Sequence, residues 1–130
     1  MKKIISTVLI CVLLLGCVFV LASCGAPNDD PEEAKAALEE EGYSVTLNTE
    51  VPGMAATITA FYNNIKDRES DYVEIYYFNS EDDANAAWET VEAVYAAEAE
   101  KLKGTDYEID FGIDGKVIYK GTVNGVKAAK

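Results

Sequence analysis

The sequence predicts an α+β domain, a mostly antiparallel sheet of about five strands with helices packed on one face, in the order α-β-β-β-α-β-β with a short final α. Three observations carry that prediction. Two segments open with a capping residue and acids, then place apolar residues three and four apart, the period of a helix buried along one stripe. Shorter segments alternate apolar and polar residues with a period of two. Proline and glycine punctuate the joins at Val51-Pro52-Gly53 and Asp114-Gly115.

Asp30-Pro31-Glu32-Glu33 starts the first helix: Asp30 is placed to cap, Pro31 sits where a missing N–H costs nothing, and the acids favour the positive end of the helix dipole. Ala34, Ala37 and Leu38 mark its buried face, and Gly42 ends it, so the spacing predicts helix over 31–41 with Tyr43 folding back on Leu38. Three strands follow. Val45 and Leu47 alternate within 44–48, Ile58, Ala60 and Tyr62 within 56–62, and Val73, Ile75 and Tyr77 within 72–78, with a polar link over 63–71.

Ser80-Glu81-Asp82-Asp83 opens the longest helix, whose stripe is Ala84, Ala87, Trp88, Val91, Val94, Tyr95 and Leu102, with Gly104 as its stop. Residues 107–113 and 116–120 read as a hairpin across Asp114-Gly115. Thr122 is placed to cap a last short helix reaching Lys130, which Gly125 weakens. The starts at Asp30 and Ser80 resemble one another over ten residues, but good helix starts share chemistry, and the similarity is weaker than a repeat requires.

The N-terminal segment is of another kind. Lys2 and Lys3 precede an apolar run of 18 residues from Ile4 to Leu21, and small residues stand just before Cys24. Leu21-Ala22-Ser23-Cys24 resembles the lipobox of bacterial lipoproteins. The resemblance implies cleavage before Cys24, a diacylglyceryl group on its sulfur, and anchoring at the outer face of the cytoplasmic membrane, or in an outer membrane where the envelope has one. The expected organisation is a signal peptide over 1–23, a short tether over 24–29 and a single α+β domain over 30–130. Two acyl chains hold a protein stably where one binds marginally. A second site, Leu14-Leu15-Gly16-Cys17, has bulky Leu15 where the better site has Ala22, and cutting there would expose Val18-Phe19-Val20-Leu21. Left uncut, the run is just long enough to span a bilayer. Either way the lysines stay inside and the domain lies outside.

Composition narrows the function. A chain without Lys2 and Lys3 carries a net charge of −14, which phosphate backbones repel, so nucleic acid is not an expected partner. The charge is uneven: 24–100 holds 3 basic and 19 acidic residues, and 101–130 holds 6 basic and 4 acidic. Lys101, Lys103, Lys116, Lys120, Lys127 and Lys130 are either a weakly basic end for a membrane or acidic partner, or ordinary solvated lysines. There is no histidine, and the cysteines stand at 11, 17 and 24, so a domain after Cys24 has neither imidazole nor free thiol. No serine begins a Ser-x-x-Lys pattern and no glycine-rich phosphate loop is present. Asp106, Glu108, Asp110 and Asp114 are the best group for calcium, though their spacing fits no EF-hand and a solvated strand edge explains them as well. The expectation is a non-enzyme without cofactor or metal.

A sheet covered on one side leaves a second face. With the Trp88 helix expected over Val45, Ile58, Val73 and Tyr77, the residues pointing away are Thr46, Thr57, Thr59, Phe61, Tyr72, Glu74, Tyr76 and Phe78. Aromatics mixed with hydroxyls suit recognition, and Thr57, Thr59, Phe61, Tyr72, Glu74, Tyr76 and Phe78 are the candidate binding face. The expected function is a membrane-anchored extracytoplasmic binding module for a protein or small ligand, or a second copy of itself. The alternative is a small structural or inhibitory lipoprotein that occupies a protein partner, with a carboxylate-based enzyme a distant third.

Overall fold

The computed structural model describes residues 25–62 and 71–130. The apolar run, both cleavage sites, Cys24 and most of the polar link lie outside the described residues. Helix α1 (Pro31–Glu40) leads into strands β1 (Tyr43–Asn48), β2 (Met54–Tyr62) and β3 (Tyr72–Phe78). Helix α2 (Glu81–Leu102), strands β4 (Ile109–Asp114) and β5 (Val117–Thr122) and helix α3 (Val123–Ala128) complete the order. The α+β class, the element order and the antiparallel sheet agree with the sequence reading. The strands lie in the order β1-β2-β3-β5-β4, every neighbouring pair antiparallel.

Local chemistry accounts for the ends of these elements. The Asp30 carboxylate accepts the backbone N–H of Glu32 at 2.9 Å and Glu33 at 3.3 Å, and Gly42 ends the turn after α1 at φ +91°. Between β1 and β2, Met54 N–H donates to the Val51 carbonyl at 3.1 Å around Pro52 and Gly53, the latter at φ +79°, as a type II turn requires. Ser80 Oγ accepts from Asp83 N–H at 3.1 Å to start α2. The β4–β5 hairpin differs by one residue from expectation. Asp114 pairs with Val117, so the two-residue loop is Gly115-Lys116, and Gly115 alone takes the positive φ, +57°. A glycine first in the loop meets the turn's demand without asking Asp114 to leave the strand.

The sheet face bearing Val45, Ile58, Ala60, Val73, Ile75, Tyr77, Val117 and Tyr119 carries the main core with Leu38 of α1 and Val126 and Ala129 at the α3 end. The long helix is not on that face. Trp88 stacks on Phe111 at 6.1 Å between ring centroids, and Phe111 stands opposite Lys120, across from Glu74, on the other side of the sheet. The expectation of helices on one face is therefore corrected: α1 and α3 cover one side, and α2 covers the β3-β5-β4 half of the other. The reason is topological. The helix α2 joins β3 to β4, two strands running the same way with β5 between them, and such a crossover has a strongly preferred hand. Its face follows from strand order, which hydropathy does not carry. No helix among the described residues is long and apolar enough to cross a membrane.

Two joints tie the domain's ends together. Thr122, 3% exposed, accepts at Oγ1 from the backbone N–H of Tyr72 and of Gly125, each at 3.2 Å, and donates to the Tyr72 carbonyl at 3.3 Å. It caps α3 and clamps it to β3. The segment expected as a tether packs onto the domain from Ala26 onward: Ala26 joins the core, Asn28 N–H donates to the Ala129 carbonyl at 2.9 Å, and the Tyr77 hydroxyl donates to the Asn28 carbonyl at 2.8 Å. Burial, with Asp30 and Asp29 nearby, holds the Tyr77 phenol well above its ordinary pKa.

Candidate binding face

All seven candidate residues stand on the face shared with α2. Pairing sets Thr57 opposite Tyr76, Thr59 opposite Glu74, Phe61 opposite Tyr72 and Met54 opposite Phe78. Directly opposed residues place their side chains on the same side of a sheet, roughly 4.5–5.5 Å apart at Cβ. One row therefore crosses the whole sheet as Thr46, Thr59, Glu74, Lys120 and Phe111. Phe61 is 55% exposed, while Thr57, Thr59, Tyr72, Glu74, Tyr76 and Phe78 are half-buried.

The face has a floor and a wall. Over β1 and β2 it presents Ser44, Thr46 and Asn48, all exposed, beside Thr57, Thr59 and Phe61. Over β3, β5 and β4 it runs under α2, which is held by three rings: Tyr95 meets Trp88 at 6.5 Å and Phe111 at 6.2 Å, both edge-on. Such contacts add roughly 0.5–1.5 kcal/mol each beyond the area they bury. Met54, Phe78, Ala87, Val91 and Ile118, with Tyr76 and Tyr95, line a groove of about 280 Å³ where wall meets floor.

Charges gather beside that groove, and sequence reasoning missed two of the three. Lys120 donates to Glu98 Oε2 at 3.0 Å and lies 5.2 Å from the centre of the Tyr95 ring. Its side chain is 16% exposed, so it is not one of a row of solvated lysines. Burial works against its charge, but the Glu98 hydrogen bond and the fields of Tyr72, Glu98 and Glu74 outweigh that and raise its pKa. The Tyr76 hydroxyl donates to Glu74 Oε2 at 3.4 Å. In the sequence Lys120 is one of the six lysines of the weakly basic end, and Glu98 is one acid among several on α2.

Burial, then the Glu74 charge, the neighbouring Tyr95 and the hydrogen bond to Glu74, push the Tyr76 phenol up to about 12. Tyr72 and Tyr95 are also raised, by burial first, with Lys120 opposing. Because the folded state raises the Tyr76 value above 10.0, the neutral phenol's contribution to stability is complete below pH 10 and is lost as pH climbs through about 12. We expect phenolate absorbance of the native protein to retain a step near pH 12 that is missing from Tyr76→Phe.

The four acids considered for calcium do not converge. Asp110 and Asp114 share one side of β4, opposite Gly121 and Val117, whereas Asp106 and Glu108 precede the strand and are exposed. The Asp110 carboxyl is raised by burial, against a hydrogen bond from Phe111 N–H and the charge of Lys130. Among the described residues no three histidine, cysteine, aspartate or glutamate side chains are placed to hold a metal ion. No family model matches the chain, and neither a curated protein nor a solved structure matches it significantly.

Proposed function

We propose that this chain is a membrane-anchored extracytoplasmic lipoprotein whose domain is a non-enzymatic binding module working through the sheet face beside α2. One observation carries the binding role: Thr57, Thr59, Phe61, Tyr72, Glu74 and Tyr76 share a face on which the helix wall reaches only the β3-β5-β4 half. A half-walled sheet with aromatic, hydroxyl and carboxylate groups offers shape on one side and polar discrimination on the other. The anchor rests on Lys2, Lys3, the apolar run and Leu21-Ala22-Ser23-Cys24. The segment from Ala26 packs on the domain, so the face stands close to the membrane whenever Cys24 is lipidated.

The test is a photo-crosslinking amino acid at Phe61 in intact cells, with Cys24→Ala as the unanchored control. The expected result is one membrane-associated adduct that disappears in the Cys24→Ala form. Capture of a second copy makes the face a dimer surface, and an adduct unchanged by Cys24→Ala removes anchoring from the reading.

A further inference from the structure

The groove under α2 joins two kinds of surface. Its interior is apolar, from Met54, Phe78, Val91 and Ile118, and two of its lining rings lead to charges: Tyr76 to Glu74, Tyr95 to Lys120 and Glu98. The group holds two carboxylates and one ammonium: Lys120 bonds Glu98 at 3.0 Å and stands opposite Glu74 in the β3–β5 pair, so one negative charge is in surplus. On its β2 side Glu74 faces Thr59, and its neighbour Tyr76 faces Thr57. Hydroxyl oxygens and a carboxylate thus line the approach to an apolar slot from the open half of the sheet.

Each alternative class of ligand fits worse. An anion would meet Glu74 and Glu98 with the one nearby amine already paired. A neutral apolar molecule would fill the slot but gain nothing from the net negative charge that Glu74, Glu98 and Lys120 leave beside it. A cation gains Coulombic attraction from that surplus negative charge and from the face of Tyr76, the Tyr95 ring already having Lys120 5.2 Å from its centre. The volume, about 280 Å³, lies just below the usual range of ligand sites and has room for one ring or a short branched chain.

We propose that this groove binds a small amphiphilic amine, with its apolar body between α2 and the sheet and its ammonium against Glu74, accepted also by the Thr57 and Thr59 hydroxyls. The assignment rests on the reading of this face as a binding surface and names the ligand class it takes.

Trp88 is the sole tryptophan of the chain and lies 6.5 Å from Tyr95, so its fluorescence reports on the groove. Full-length protein in detergent is titrated with phenethylammonium, with phenethyl alcohol and hydrocinnamate as neutral and anionic counterparts of the same body. The ammonium is expected to bind at least about tenfold more tightly than either, the scale of one hydrogen bond to a charged group. Glu74→Gln should remove that preference while leaving weak binding of all three, and Val91→Phe, which fills the slot, should weaken all three together. Circular dichroism confirms that both variants fold.

Equal binding of the three compounds, an undiminished preference in Glu74→Gln, or no saturable response to the ammonium overturns the proposal. Crosslinking at Phe61 is independent of these outcomes. An adduct there without amine binding discards the ligand class and keeps the face; amine binding without an adduct keeps the groove and discards a macromolecular partner.

Discussion

Gly125→Ala lowers the stability of the domain, although the same change inside a helix ordinarily raises it. Replacing a helical glycine by alanine gains roughly 0.5–1 kcal/mol from reduced backbone freedom. At Gly125 the new methyl would meet the backbone carbonyl oxygen of Tyr72 and lie 2.7 Å from its carbon, and a β-strand backbone cannot yield as a side chain tip does. Overpacking of this kind costs about 1–3 kcal/mol, and the Thr122 clamp on the same two elements is disturbed with it. We expect a net loss of about 2 kcal/mol, read as a melting temperature lower by roughly 8–16 °C. Gly104→Ala, at φ +76° with open space around it, serves as the control for backbone strain without a clash. A stabilised Gly125→Ala protein would mean that α3 does not sit on β3 as described.

Leu38→Ala is the second large effect, and it separates the two sides of the sheet. Leu38 is 0% exposed and is the largest α1 side chain in the core against β1 and β2. Truncating a buried leucine removes transfer free energy and leaves a cavity, together about 2–5 kcal/mol. The urea midpoint should fall with the slope unchanged. The groove under α2 lies across the sheet and shares no lining residue with this cluster. Trp88 fluorescence of the folded variant should therefore match wild type, and a change in it would show that the two layers are coupled.

What was readable in the sequence was what short stretches of chain decide for themselves. Asp30, Ser80 and Thr122 cap as their chemistry suggests, and the alternation in β1, β2 and β3 sorted side chains onto two faces without error because the period of a strand is two. Which face a helix covers was not readable. The stripe on α2 fits against either side, and the choice came from β5 lying between β3 and β4, through a β3–β5 pairing of residues forty or more positions apart.

The candidate face was legible as a set, since its seven members follow from alternation alone. Its partners were not. Lys120 is brought to Glu74 by the β3–β5 pairing and Glu98 to Lys120 by the crossover helix, and nothing local marks either meeting. Gly125 read as a weakness of the last helix because propensity counts the cost of flexibility but not the room a neighbour needs. Ala26 read as tether for a similar reason: small residues next to proline carry no periodicity, and only the Asn28 bonds to Ala129 and Tyr77 show the segment to be fixed.

Those two bonds have a consequence for any anchored form of the chain. With Ala26 packed in the core and Asn28 bonded to the domain, Gly25 is the one described residue between that packing and Cys24, so a lipid on Cys24 would have little free chain between it and the domain. In such an anchored form the short link would confine the face beside α2 to a thin shell of space above the bilayer. Encounter with anything in the same membrane then depends on how many copies occupy each unit of area, and dilution of the surrounding medium leaves it unchanged.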